Sequence, residues 1–244
     1  MGINYYGITD VGLKRSNNQD CFKICEMPEG LLMVVCDGMG GAAGGSEASS
    51  LAASSFVDYV KTHIALVDKE EYLNVLQSAL DAANEIVCSK ARASKELEGM
   101  GTTLVCALYD KESYYCLWVG DSRIYALNSF DISQLSHDHS FVQNLIDSGR
   151  ITKDEAKHHP NRNIITKAVG IEQKVQGDVC KISAEKLEGM LLCSDGLCGY
   201  VPEDVIEVTC REKENIEDCC KELVKLANDN GGHDNITVVI HRKQ

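Results

Sequence analysis

Short apolar runs precede any helical pattern in this chain. Residues 3–9, 21–26 and 31–36 are strand-like and are divided by turn residues, so the protein is expected to begin with antiparallel strands. The rhythm then changes. From Ser46, the residues Ala48, Leu51, Ala52, Phe56, Tyr59 and Val60 recur at helical spacing, and Leu73, Leu76, Ala79, Leu80, Ala83, Ile86 and Val87 repeat the pattern. Two long helices in succession are predicted. Residues 102–108, 113–119, 122–127 and 131–135 have the β-branched and aromatic content of a strand meander. Strands are expected again at 174–182, 190–193 and 236–240. Ile216, Cys219, Cys220, Leu223, Val224 and Ala227 mark a last amphipathic helix. Runs of strands and runs of helices, in place of regular βαβ alternation, favour α+β layers.

Residues 136–164 break this regularity with charges and histidines, and are expected to form an insertion or flap in which His137, His139, His158 and His159 are solvated. Arg211 to Glu217 reads as a solvated helix start. No Pro, Gly or Ser tract is long enough to be a linker, so the 244 residues are expected to form one domain, 1–244. Hydrophobic residues at 44% and charged residues at 25% exclude a disordered chain. The net charge of −13 repels nucleic acid and anionic membrane surfaces and favours cations as small partners. Residues 1–6 offer neither a basic nor an apolar leader segment, and the longest purely apolar run has six residues, against the ~20 of a membrane helix. A cytoplasmic protein without a membrane span is expected. The twelve cysteines repeat no C-x-x-C spacing, so they are read as buried, reduced thiols and not as zinc ligands.

The candidate chemistry lies in four acidic sites: Asp37 before Gly38, Asp121 after Gly120, Asp195 before Gly196, and Asp234 after Gly231, Gly232 and His233. Each abuts an apolar strand. A glycine beside a carboxylate lets the backbone bend close to a ligand, and oxygen donors without Cys or His select hard divalent ions. The stretch leading to Asp37-Gly38 is echoed by the one leading to Ser194-Asp195-Gly196, as two related sheets each offering an Asp at one edge would require.

Asp10-Val11-Gly12-Leu13-Lys14-Arg15-Ser16-Asn17-Asn18-Gln19-Asp20 is followed in order by Asp37-Gly38-Met39-Gly40-Gly41, Gly101-Thr102-Thr103, Val119-Gly120-Asp121-Ser122-Arg123, Ser194-Asp195-Gly196 and Gly232-His233-Asp234-Asn235-Ile236. This series, spanning nearly the whole chain, resembles the metal-dependent type 2C serine/threonine protein phosphatases. The resemblance implies a four-layer αββα sandwich of two antiparallel sheets flanked by helix pairs, with metals in a channel at one sheet edge. It makes Asp37 a ligand of two metals, Asp195 and Asp234 ligands of one, and the Gly38 carbonyl a ligand of the other. Asp20 supports the second metal through water, Asp121 holds a weaker third, and Arg15 binds the substrate phosphate; Lys14 is a solvated neighbour. The implied cofactors are Mn²⁺ or Mg²⁺. The implied partners are phosphorylated proteins and an opposing serine/threonine kinase, for a monomeric enzyme.

Charge supports the assignment independently. Asp20, Asp37, Asp195 and Asp234 cannot all ionise close together unless cations neutralise them, and two divalent ions cancel four carboxylates. A water shared by two such ions loses its proton near neutral pH and becomes a hydroxide positioned for in-line attack on phosphorus. Cys36, next to Asp37, reads as a core thiol. Two residues depart from the family pattern: Met39 stands where many members have histidine, and Gln19 where many have glutamate. Proton delivery to the leaving group is therefore open between water on the third metal and the flap histidines. Gly38-x-Gly40-x-x-Ala43 also satisfies a dinucleotide fingerprint, but the acidic residue about 20 positions on, Asp58, falls in a helical stretch. The alternative from another class is an inactive phosphatase-like binding module, whose mark would be the loss of a metal carboxylate.

Overall fold

The computed structural model describes residues 4–243, apart from the side chains of Ala42 and Ala43; the first residue of the expected opening strand, Ile3, lies outside them. The chain begins with three strands, β1 (Asn4–Asp10), β2 (Asp20–Met27) and β3 (Gly30–Met39). Helices α1 (Gly41–His63) and α2 (Tyr72–Ala93) follow. The meander comprises β4 (Gly101–Thr102), β5 (Leu104–Tyr109), β6 (Ser113–Val119), β7 (Arg123–Leu127) and β8 (Ile132–Gln134). Two short helices, α3 (Phe141–Asp147) and α4 (Lys153–Lys157), lie in the expected flap. The chain then forms β9 (Asp178–Ser183), β10 (Gly189–Cys193), α5 (Asp195–Cys198), α6 (Glu203–Glu212), α7 (Ile216–Asp229) and β11 (Ile236–Arg242).

All strand pairs are antiparallel. One sheet runs β1-β11-β10-β7-β8, and the other runs β2-β3-β5-β6-β9 with β4 added against β3. Three apolar layers hold the sandwich together. Ala52, Phe56 and Leu76 of α1 and α2 pack on Leu32, Val34 and Cys106 of the six-stranded sheet. Leu31, Met33, Val105, Leu192 and Val239 fill the space between the sheets. Leu223 and Ala227 of α7 and Ile206 of α6 cover Leu191, Val238 and Ile240 on the outside of the five-stranded sheet. β3 lies between two other strands and is covered on both faces, which is why 31–36 reads as an unbroken apolar run.

The differences from expectation have local causes. The run 102–108 is split at Thr103, whose N–H donates to the Asp37 carbonyl at 2.8 Å and whose Oγ1 accepts from the Asp37 N–H at 2.9 Å. β9 begins at Asp178 and not at 174; the Gly177 N–H is drawn to Gln77 Oε1 on α2. α6 was not expected: Pro202 precedes it, and Ile206, Thr209 and Cys210 are its buried residues. Arg211 to Glu217 is consequently not one helix start. It crosses the end of α6, a short link, and the first turn of α7, where the Asn215 side chain caps the Asp218 N–H. After β3 come two helices and no parallel strand, and Asp58 lies inside α1, so the dinucleotide reading fails. Every cysteine is a free thiol, and among the described residues no helix is long and apolar enough to cross a membrane.

Candidate active site

The two sheets deliver their acids to one edge. Asp20 opens β2 and stands directly opposite Asp37 near the end of β3, while Asp195 follows β10 and Asp234 precedes β11. Asp121 lies in the turn between β6 and β7. The predicted echo is therefore real in space: the Asp37 strand belongs to the six-stranded sheet and the Asp195 strand to the five-stranded one.

Close backbone approach explains the glycines. A Cβ on Gly38 would lie 2.0 Å from the Gly45 carbonyl oxygen, and one on Gly196 would lie 1.9 Å from that of Asn235. Neither position accepts a side chain without moving backbone. The glycine-rich segment after β3 forms the first turns of α1, packed against Met100 and the Gln19 side chain. Gln19 Nε2 donates to the Gly41 carbonyl, a bond that a carboxylate could not make. Met39 extends toward Gly101 and offers no exchangeable proton.

Burial, and after it mutual repulsion, raises Asp20, Asp37, Asp121 and Asp195. Burial, followed by the charge of Asp20 and of Asp195, pushes Asp37 well above the usual carboxylate range. Burial raises Asp195 to about 6, with repulsion from Asp234 adding to it and a hydrogen bond from Asp37 opposing it. Asp121 is raised by burial and then by Asp195. Asp20 is lifted to about 7 by burial, although Thr237 and Ser194 both donate hydroxyls to its Oδ2 at 2.7 Å. These hydroxyls were not foreseen from sequence, nor was Asn235, whose amide donates to the carbonyls of Val11 and Asn17 and whose Oδ1 accepts the Gln19 N–H. Asn235 thereby fixes the loop carrying Arg15. Ser194 and Asn235 do lie within the quoted motifs; Thr237 has no such marker.

Oδ1 of Asp20 and Oδ1 of Asp195 are buried without a hydrogen-bond donor. Buried acceptors of this kind, beside the raised carboxyls of Asp20, Asp37, Asp121 and Asp195, fit a site for hard divalent cations supplied by oxygen donors. Among the described residues no three acidic, thiol or imidazole side chains are already drawn into a closed cage. Asp234 Oδ2 meets Arg15 Nη2 at 2.7 Å. Arg15, with 48% of its side chain exposed, stands at the mouth, and Lys14 is exposed as expected.

The flap histidines divide. His137 is exposed and pairs with Asp147 at 2.7 Å, His158 is exposed, and His159, expected to be solvated, is half-buried with its ring against Phe141. His139 is not solvated: it is 8% exposed, because its ring faces inward onto the Gly120 backbone. Cys36 is fully buried and its thiol is pushed up by burial, as a core residue should be.

Residues 13–240 match the family described as Protein phosphatase 2C. The chain is 36% identical over 233 residues to the serine/threonine phosphatase stp of Listeria welshimeri, covering 95% of this chain and 92% of that one. The crystal structure of serine/threonine phosphatase Stp1 from Staphylococcus aureus superposes with a TM-score of 0.92 at 35% identity, covering 100% of this chain and 96% of that one. The catalytic domain of PstP in complex with two manganese ions does so with a TM-score of 0.85 at 32% identity, over 98% and 97% of the two chains.

Proposed function

Since this chain belongs to the protein phosphatase 2C family, we propose how its own residues carry out the dephosphorylation of phosphoserine and phosphothreonine in proteins. The observation that carries the reading is the convergence of Asp20, Asp37, Asp121, Asp195 and Asp234 from both sheets, with acceptor oxygens left buried and unpaired. No carboxylate of the expected set is lost, so nothing favours an inactive binding module.

Asp37, Asp195, Asp234 and the Gly38 carbonyl would hold two divalent ions, with Asp20 behind one of them and Asp121 suited to a weaker third. Mn²⁺ or Mg²⁺ there supplies positive charge for the phosphoryl oxygens and lowers the pKa of attacking water. The protein's part is positioning. Ser194 and Thr237 keep the Asp20 carboxylate aimed by two hydroxyl donors on one oxygen. Thr103 holds the Asp37 peptide on both its N–H and its carbonyl side. Arg15 can exchange Asp234 for a phosphate, since a guanidinium offers the same paired N–H donors to either anion. Cys36 is sealed in the core and His139 is committed to the Gly120 backbone, so neither would accept the phosphoryl group. Residues 136–164, on the far side of the Asp121 turn, would select among phosphoproteins. An opposing serine/threonine kinase is the implied counterpart, and the whole of 1–244 would act as one catalytic domain.

The test is phosphate release from a phosphothreonine peptide. Activity should appear with Mn²⁺ or Mg²⁺, vanish on chelation, and be abolished in Asp37→Asn, Asp195→Asn and Asp234→Asn. Wild-type rates in all three variants would overturn the assignment.

A further inference from the structure

Three consecutive residues at the root of the flap are each tied to the hairpin that carries Asp121. The His137 carbonyl accepts the Trp118 indole N–H at 3.1 Å. The Asp138 carboxylate takes the Arg123 guanidinium through Nε at 3.1 Å and Nη2 at 2.7 Å. Between them His139 holds Gly120 twice: its backbone N–H donates to the Gly120 carbonyl at 2.9 Å, and the Gly120 N–H donates to its ring Nδ1 at 3.1 Å. Trp118 and Gly120 precede Asp121, and Arg123 follows it.

Gly120 is confined on its other side. Its φ is +102°, and a Cβ there would lie 2.5 Å from Thr103 Cγ2. Thr103 is the residue that holds the Asp37 backbone, and its hydroxyl also meets that of Ser122 at 2.7 Å. The Gly120 peptide is thus pressed between a residue anchoring Asp37 and a residue of the flap.

The opposite side of His139 meets the returning end of the flap. Its carbonyl accepts the Thr166 N–H at 2.7 Å, and the Phe141 N–H donates to the Ile164 carbonyl at 2.8 Å, closing the two ends into a short stem. A neutral imidazole that accepts at Nδ1 carries its proton at Nε2. That nitrogen faces Asp178 Oδ2 at 3.5 Å, and Lys167 Nζ lies 3.3 Å from Nε2 and 3.4 Å from Asp178 Oδ1.

We propose that His139 is a positioning residue: its Nδ1 acceptor, acting through Gly120, fixes the Asp121 carboxylate relative to the flap stem, so that flap and carboxylate cluster are set by one joint. It touches no substrate. The proposal rests on the phosphatase reading only for what Asp121 is used for; the hydrogen bond is tested without it.

The experiment compares His139→Leu, His139→Gln and His139→Asn in the full chain. Asn places its Oδ1 where Nδ1 sits, Gln reaches past that position, and Leu offers no acceptor. The first readout is amide hydrogen exchange at Gly120 in metal-free protein, and the second is the Mn²⁺ concentration giving half-maximal phosphopeptide hydrolysis. Leu and Gln should speed Gly120 exchange by roughly 5- to 150-fold, as expected for a buried N–H left without its acceptor, and should raise the Mn²⁺ requirement. Asn should return both toward wild type. A merely structural role would lower the melting temperature without separating Asn from Gln. Gly120 exchange at the wild-type rate in Leu, or equal exchange in Asn and Gln, overturns the proposal. Should Leu fail to fold, the Asn and Gln pair still decides. Absence of phosphatase activity in the wild type would strike the functional reading instead, leaving Gly120 exchange to judge His139.

Discussion

Thr237→Val removes one hydroxyl from the Asp20 carboxylate and changes little else in shape. In the wild type Thr237 Oγ1 gives its proton to Asp20 Oδ2 at 2.7 Å, so at its other contact, 2.7 Å from Thr9 Oγ1, it must accept. Thr9 in turn accepts from Asn18 Nδ2 at 2.8 Å. Ser194 is then the donor that remains on Asp20 Oδ2. A hydrogen bond to a charged acceptor contributes about 1.5–3 kcal/mol, or roughly one to two pH units. Asp20, already lifted to about 7, should then titrate at about 8 to 9 in the variant. If cation loading requires the ionised carboxylate, the available fraction near pH 7 falls from about one half to between about one tenth and one hundredth, a roughly 5- to 50-fold loss of apparent Mg²⁺ affinity. Near pH 8.5 the same shift leaves a loss of only about 1.3- to 4-fold. Stability moves the other way with pH. A carboxylate whose folded pKa is raised binds a proton that the unfolded chain has released, so the metal-free protein should lose stability as pH climbs from the ordinary carboxylate range toward 7. Calorimetric Mg²⁺ titrations at both pH values measure the effect. A defect of equal size at the two, or none, refutes the argument that Thr237 acts by keeping Asp20 ionised.

Arg15→Ala should raise KM for a phosphopeptide by about tenfold or more, since a charge-assisted contact to phosphate is removed; an unchanged KM, measured at saturating Mn²⁺, would exclude the role. Asp121→Ala should slow hydrolysis of phosphoserine peptide far more than that of an aryl phosphate, whose phenolate leaves without protonation, while His137→Ala should spare both. Equal losses on the two substrates would refute proton delivery through the Asp121 site. Exchanging residues 136–164 for the segment of a relative should change phosphopeptide preference and leave aryl phosphate turnover nearly constant; matching changes would mean that the segment shapes the carboxylate cluster itself.

Asp37 and Asp195 were legible in the sequence because each is followed by a glycine whose backbone passes within contact distance of another backbone, whereas Asp20, with no glycine beside it, was marked only by the family resemblance. The layers were legible because β3 is covered on both faces and α7 on one. What escaped depends on register between distant segments. Thr237 on β11 and Asp20 on β2 belong to opposite sheets and meet only across the sandwich, and nothing near residue 237 announces it. His139 looks like any polar residue in a charged stretch until the Gly120 turn is folded against it. α6 is ten residues long and mostly polar, and its buried stripe of Ile206, Thr209 and Cys210 holds a single large aliphatic side chain.

The facing surfaces of the two sheets are greasy along most of their area, as Leu31, Met33, Val105, Leu192 and Val239 show, and such contact resists separation far better than sliding. Polar ties cross it at places far apart: Tyr114 Oη meets His241 Nδ1 at 2.7 Å from opposite sheets, and Asp20 is gripped by Ser194 and Thr237 beside the carboxylates. Because Asp20 and Asp37 come from one sheet while Asp195 and Asp234 flank strands of the other, the spacing of the cluster works as a vernier on the lateral alignment of the sandwich. A displacement of one sheet along the other would therefore alter the spacing of the carboxylates while leaving the strand pairing within each sheet intact.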